Sequence, residues 1–158
     1  MGGSRQGIRQ GLEVGDGQVK VYIATSHLHA VRADALAGEI DATVVSTWTK
    51  DTVGYHNEVK KAIRDIAQID DCDVFVCLAF PGSGGGMHNE VGYAMGRGKP
   101  VLLFGGSLGM LAYHPYVQRF ASWSLLVDAI NRRAFVWTGH FDHCRALIHD
   151  GVCRCLTR

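Results

Sequence analysis

The segment Asp73-Val74-Phe75-Val76-Cys77-Leu78-Ala79-Phe80 constrains this chain more than any other. An unbroken apolar run of strand length has no polar face to give to water, so as a strand it must be covered on both sides. Strands of that kind belong to parallel sheets sandwiched between helices. The flanking signals agree. Val19 to Ala24 and Ala42 to Trp48 read as β-rich runs, and Pro100 to Phe104 as another buried strand. Between them lie helix-compatible stretches at Val31–Ile40, Asn89–Arg97 and roughly Ser122–Arg133, with Gly98 placed to stop the second. The clearest helix precedes the apolar strand. Val59, Ala62, Ile63, Ile66, Ala67 and Ile69 fall in one stripe expected to face the core, with Glu58, Lys60, Lys61, Arg64 and Gln68 opposite.

Alternating strands and helices predict a single α/β domain of the flavodoxin-like or Rossmann-like kind. The expected sheet is parallel, with four or five strands, order 2-1-3-4, helices on both faces and a fifth strand near Ala134 to Thr138. Residues 1–18 are polar and Gly-rich and read as a flexible leader, residues 19–133 as the domain, and 134–158 as an extension without structural assignment. Apolar runs are only strand-length, and the formal net charge is +1. Neither a membrane nor a nucleic acid is therefore expected as partner. The five cysteines have no framework spacing, which fits a reducing cytoplasm, with Cys72 and Cys77 acting as small buried hydrophobes.

In a sheet of this order ligands bind beyond the carboxyl ends of the strands, where strand order reverses. That places the site between the loop after strand 1 (Thr25 to Ala30) and the loop after strand 3 (Pro81 to His88). The second loop, Pro81-Gly82-Ser83-Gly84-Gly85-Gly86-Met87-His88, lets backbone N–H groups approach a ligand closely. It carries neither the dinucleotide fingerprint nor the Lys-Ser/Thr of a phosphate-cradling P-loop. Glu90 follows in what reads as the first helical turn, where the helix dipole favours an ionised carboxylate. The His and Cys residues between His140 and Cys155 lack metal-site spacing, so no metal and no organic cofactor is expected.

The run Glu90-Val91-Gly92-Tyr93-Ala94, followed by Gly98-Lys99-Pro100-Val101 and preceded by a Gly-rich loop closing an Asp-Val-x-Val strand, resembles the nucleoside 2-deoxyribosyltransferases. That family includes relatives that hydrolyse deoxynucleoside monophosphates. The resemblance spans about Lys20 to Phe104 and continues more weakly to Ile130. It implies that Glu90 is the nucleophile and that Asp65, eight residues before Asp73, is the general acid. It implies further that Tyr22 orients the nucleophile through its hydroxyl, and that Gly92 and Ala94 pack the helix closely on the sheet. Ser26, His27, Ser83, Gly84, Gly85 and Gly86 are the expected substrate-binding positions. A homodimer or higher homo-oligomer is also implied, with the segment Leu108 to Tyr113 as a candidate contact.

The chain departs from the family pattern. Gly84 stands where an acidic residue often binds the sugar hydroxyls, Ser83 is one position from the serine of the monophosphate hydrolases, and the first loop lacks an Arg-Gly-Gly cradle. Ser26, His27, His29 and Arg32 are the available substitutes. Pro81-Gly82-Ser83-Gly84-Gly85 with Glu90 is also similar to the motif of lonely-guy type phosphoribohydrolases, which cleave the same class of bond. A non-catalytic nucleotide-binding module is the alternative of a different class.

Overall fold

The computed structural model describes residues 17–51, 58–106 and 108–135. Five parallel strands form one sheet: β1 (Lys20–Ala24), β2 (Thr43–Val44), β3 (Val74–Ala79), β4 (Val101–Gly105) and β5 (Val117–Phe120), in the order β2-β1-β3-β4-β5. Four helices accompany them: α1 (Ala30–Glu39), α2 (Glu58–Asp71), α3 (Gly85–Gly96) and α4 (Trp123–Asn131). β3 is buried at every position, as its composition requires, and pairs with β1 (Tyr22 beside Phe75) and β4 (Val76 beside Leu102). Right-handed crossovers sort the helices into two layers. On one face Trp123 Nε1 of α4 donates to the Glu39 carboxylate of α1 at 3.0 Å. On the other, Tyr93 and Arg97 of α3 or just beyond it both donate to Asp70 of α2, at 3.0 and 2.7 Å. Tyr22, Phe75, Ile69, Leu102, Leu36, Leu126 and Ile130 are fully buried between the layers.

The predicted fold class holds, and several details differ. The fifth strand lies at Val117–Phe120 instead of near Ala134 to Thr138. It is a half-buried edge strand carrying Gln118 and Arg119, so it lacks the apolar run that marked the others. Ala134 follows α4, its N–H bonded to the Ala129 carbonyl, and residues 136–138 lie outside the described part. So do most of the leader and of the 134–158 extension, with Cys144, Cys153 and Cys155. The second strand shrinks to two residues, and Trp48–Lys50 turns into a 3₁₀ segment.

The largest correction concerns α2. Its apolar stripe points away from the sheet: Val59 is 73%, Ile63 66% and Ile66 37% exposed. Toward the sheet it turns Arg64, Asp65 and Gln68, with Ile69 as its one buried residue. Specific hydrogen bonds decide this rotation. The Gln68 amide accepts from Thr47 N at 3.2 Å and donates to Thr47 Oγ1 at 2.9 Å. Arg64 forks onto Asp51, with both N–O distances at 2.7 Å. Gly92 also fails its expected role, because it sits exposed on α3, with no atom within 4 Å of where a Cβ would stand. Ala94, by contrast, is buried.

One glycine is forced by the sheet. Gly105 ends β4 with φ +97°, and a Cβ there would lie 2.6 Å from the Ala79 carbonyl oxygen. The Gly106 N–H donates to that same oxygen, which closes β4 onto the end of β3.

Candidate active site

The pocket opens where β1 and β3 end, at the crevice expected from strand order alone. It has a volume of ≈ 230 Å³. The loop after β1 contributes Thr25, Ser26 and His27, and the start of α3 contributes Gly84, Gly86 and Met87. Trp48, Asp65 and Glu90 complete the wall. The first loop is held to the sheet by Thr25, whose hydroxyl donates to the Leu78 carbonyl at 2.8 Å. The Trp48 indole N–H donates to the Ile23 carbonyl at 2.7 Å, and the His27 ring meets Trp48 edge-on at 5.3 Å.

Gly85 and Gly86 adopt helical conformation, so α3 begins inside the glycine run and Glu90 is its sixth residue. It therefore lies in the second turn, beyond the strongest influence of the helix terminus. The expectation of a dipole-stabilised carboxylate is corrected accordingly. Burial dominates and pushes the Glu90 carboxyl up to about 7. The hydrogen bond from Tyr22 opposes that rise, and the charge of Asp65 adds to it. The Tyr22 hydroxyl donates to Glu90 Oε1 at 3.0 Å. Its ring is fully buried and stacked on Phe75, with centroids 5.2 Å apart, so the donor has little freedom to move. Burial, followed by the Glu90 charge, raises the Tyr22 phenol above its ordinary range and keeps it a proton donor.

Asp65 reaches the same cavity from α2. Arg64 donates to its Oδ1 from Nε at 3.0 Å and from Nη2 at 2.8 Å, while gripping Asp51 with both terminal nitrogens. Arg64, Trp48 and Met87 were not singled out from sequence. Arg64 read as a solvent-side cation because the apolar stripe of α2 seemed to define the buried face. Asp51, its anchor, lies thirteen residues earlier with no local pattern to link the two.

Of the nine positions expected from sequence, Glu90, Asp65, Ser26, His27, Gly84 and Gly86 line the pocket. Tyr22 lies behind its wall and touches the site through Glu90. Ser83 and Gly85 do not line it; Ser83 closes a turn by donating its N–H to the Phe80 carbonyl at 3.1 Å. Gly84 is the N-cap of α3 and offers no side-chain hydrogen bond to the first turn. The hydroxyls of Ser26 and Ser83 are both buried without a hydrogen-bond partner.

Among the described residues no group of three or more His, Cys, Asp or Glu side chains is placed to hold a metal. Burial pushes the Cys72 thiol up to about 11 and Cys77 to about 12, so neither is a ready nucleophile. What the pocket does bring together is two carboxylates with different surroundings. One is a half-buried glutamate poised near neutrality and bonded by a phenol. The other is an aspartate held by a guanidinium. Such a pair can divide nucleophilic and acid–base roles.

No family model and no curated protein matches the chain. Solved structures do. A CMP N-glycosidase of Clostridium botulinum, BcmB, aligns with a TM-score of 0.50 and 19% identity over 64% of this chain and 87% of its own. A 2-deoxyribosyltransferase of Bacillus psychrosaccharolyticus aligns with a TM-score of 0.57 and 20% identity over 70% of this chain and 91% of its own. Both alignments cover most of those enzymes, and at such identities the likeness establishes architecture. The chain thus has the doubly wound α/β fold that this N-glycosidase and this deoxyribosyltransferase share.

Proposed function

We propose that this protein is an enzyme of the nucleoside 2-deoxyribosyltransferase type, cleaving or transferring the N-glycosidic bond of a nucleoside or its 5′-monophosphate. The observation that carries the reading is the half-buried Glu90 carboxylate, bonded by Tyr22 and sharing one pocket with Asp65. A carboxylate lifted to about 7 inside a ligand cavity is the kind of group that catalytic sites gather, which supports an enzyme over a pure binding module. The similar solved enzymes, an N-glycosidase and a deoxyribosyltransferase, support the same reaction class.

In the proposed reaction ionised Glu90 attacks the anomeric carbon as the bond to the base nitrogen breaks. The electrons of that bond pass to the base, which takes a proton from Asp65. The product of this half-reaction is a glycosyl ester on Glu90. Water completes hydrolysis, or a second base completes transfer, and a proton returns to Asp65. Tyr22 holds Oε1, leaving the other carboxylate oxygen for the attack. Arg64 is a positioning residue: both its bonds to Asp65 end on Oδ1, so Oδ2 is the oxygen directed at the leaving base. No step requires a metal or an organic cofactor.

The end of the pocket at Ser26 and the start of α3 suits a 5′-phosphate. An unpartnered buried hydroxyl and an uncapped helix start both seek acceptor oxygens there. This favours monophosphate substrates over free nucleosides. The decisive assay incubates the protein with (deoxy)nucleosides and their monophosphates, with and without an acceptor base, and measures released base. A 2-fluoro-2-deoxyribosyl substrate, which slows breakdown of the ester, should add its mass to the peptide containing Glu90. Cleavage that persists at the native rate in Glu90→Ala would overturn the assignment.

A further inference from the structure

Trp48 holds a place in the pocket wall that the proposed reaction does not use. Residues on either side of it are tied to α2. Thr47 exchanges two hydrogen bonds with the Gln68 amide, at 3.2 and 2.9 Å, and Asp51 takes the fork of Arg64 at 2.7 Å. Arg64 and Gln68 are one helical turn apart with Asp65 between them, so this lacing sets Trp48 beside Asp65 in the wall. The indole cannot swing aside. It is only 7% exposed, its N–H donates to the carbonyl of buried Ile23 at 2.7 Å, and the His27 ring lies perpendicular to it at 5.3 Å.

We propose that Trp48 is the specificity-determining residue of this site and that the base it admits is a pyrimidine. The inference rests on the reaction proposed above, in which the anomeric carbon meets Glu90 and the base leaves toward Asp65. Glu90 is itself held, by Tyr22 at 3.0 Å and through the stack of Tyr22 on Phe75, so the sugar cannot back away to make room. The base therefore has the space between a fixed carboxylate and a fixed indole. A pyrimidine presents one ring to that space, and the indole gives the ring an apolar surface to rest on. A purine presents two fused rings, and the second has to enter volume that the indole fills. Room elsewhere is short. The whole cavity, at ≈ 230 Å³, is smaller than the roughly 300–1,000 Å³ of ordinary small-molecule sites. A clash against a braced wall rejects the larger base, because a close-packed interior does not yield to it.

The test compares kcat/KM for base release from pyrimidine and purine (deoxy)nucleosides and their monophosphates. The native protein should favour pyrimidines by about 100-fold or more, a comparison that requires no variant to fold. Trp48→Leu and Trp48→Phe should each raise purine cleavage in absolute terms by about tenfold or more, a gain that damage to the fold does not produce. Trp48→Phe keeps a ring in the core and decides the matter if Trp48→Leu does not fold. Purines cleaved by the native protein as fast as pyrimidines overturn the inference and leave the reaction class standing. Absence of base release from every substrate overturns both. A folded Trp48→Phe protein that gains no purine cleavage removes the role given to Trp48.

Discussion

Glu90 carries two opposed influences that can be separated experimentally. Burial raises its carboxyl to about 7, while the Tyr22 hydroxyl favours the ionised form and holds the rise in check. A nucleophile must be ionised, so on the acid side of 7 kcat/KM should climb about tenfold per pH unit. In Tyr22→Phe the opposing hydrogen bond is gone, and the acid limb should move to higher pH by roughly one unit. A pH–rate profile checks this; a limb that stays put would leave Tyr22 a packing residue. The same carboxyl affects stability with a defined sign. Its folded value of about 7 exceeds its ordinary 4.5, so between these the folded chain holds a proton that the unfolded chain has released. Stability conferred by that proton is complete below about 4.5 and is lost as pH rises through 7. Glu90→Gln, always neutral, should therefore gain on the native protein between pH 5 and 8 by on the order of 2 kcal/mol, discounted for a pocket open to water. Urea unfolding at the two pH values measures it. From sequence Glu90 was identifiable by its motif, but its electrostatics were misread. The two glycines taken for loop are the first turn of α3, which moves the carboxylate away from the helix terminus and into the pocket wall.

At the scale of elements, α2 is where sequence reasoning was both right and wrong. Its existence was legible from periodicity, and Asp65 was singled out by the family resemblance, yet the rotation of the helix was not legible. Hydrophobic periodicity reports that a helix has an apolar face and does not say which neighbour covers it. Here the bonds of Gln68 to Thr47 and of Arg64 to Asp51 outweigh the pattern and turn the polar side toward the sheet. Arg64 should accordingly matter to catalysis without touching the reacting atoms. Arg64→Met is expected to lower kcat by 10- to 100-fold for natural bases, with KM little changed and a smaller loss for substrates with activated leaving groups. Lysine should restore little of it, because a single ammonium cannot fork onto Asp51 and still reach Asp65. Equal losses for both substrate types would return Arg64 to a purely structural role. The end of β4 offers a second test. Gly105→Ala must place a Cβ against the Ala79 carbonyl at positive φ, and should cost about 2–4 kcal/mol in chemical unfolding. An unchanged midpoint would show that β4 can shift away from β3.

For the molecule as a whole, strand order and the location of the crevice followed from the alternation of apolar strands and helices, because few topologies satisfy right-handed crossovers. What escaped was β5. An edge strand is covered less, so it needs no continuous apolar run, and Val117-Gln118-Arg119-Phe120 carries almost no signal. One continuous core joins both layers, from Leu36 on α1 through Phe75 to Val91 on α3. Unfolding should therefore be a single transition, with far- and near-ultraviolet circular dichroism coinciding in urea. Two separated midpoints would mean that the layers come apart independently. The order β2-β1-β3 also sets a timetable for synthesis. β1 lies inside the sheet and is the first of the five described strands to emerge, while Phe75, its partner at Tyr22, follows fifty-three residues later. During that interval a segment buried at four of its five positions has one flank without its native neighbour. The newborn chain passes through a period of vulnerability to sticking that the finished molecule no longer has, and translation rate or chaperone supply should govern how much of it matures.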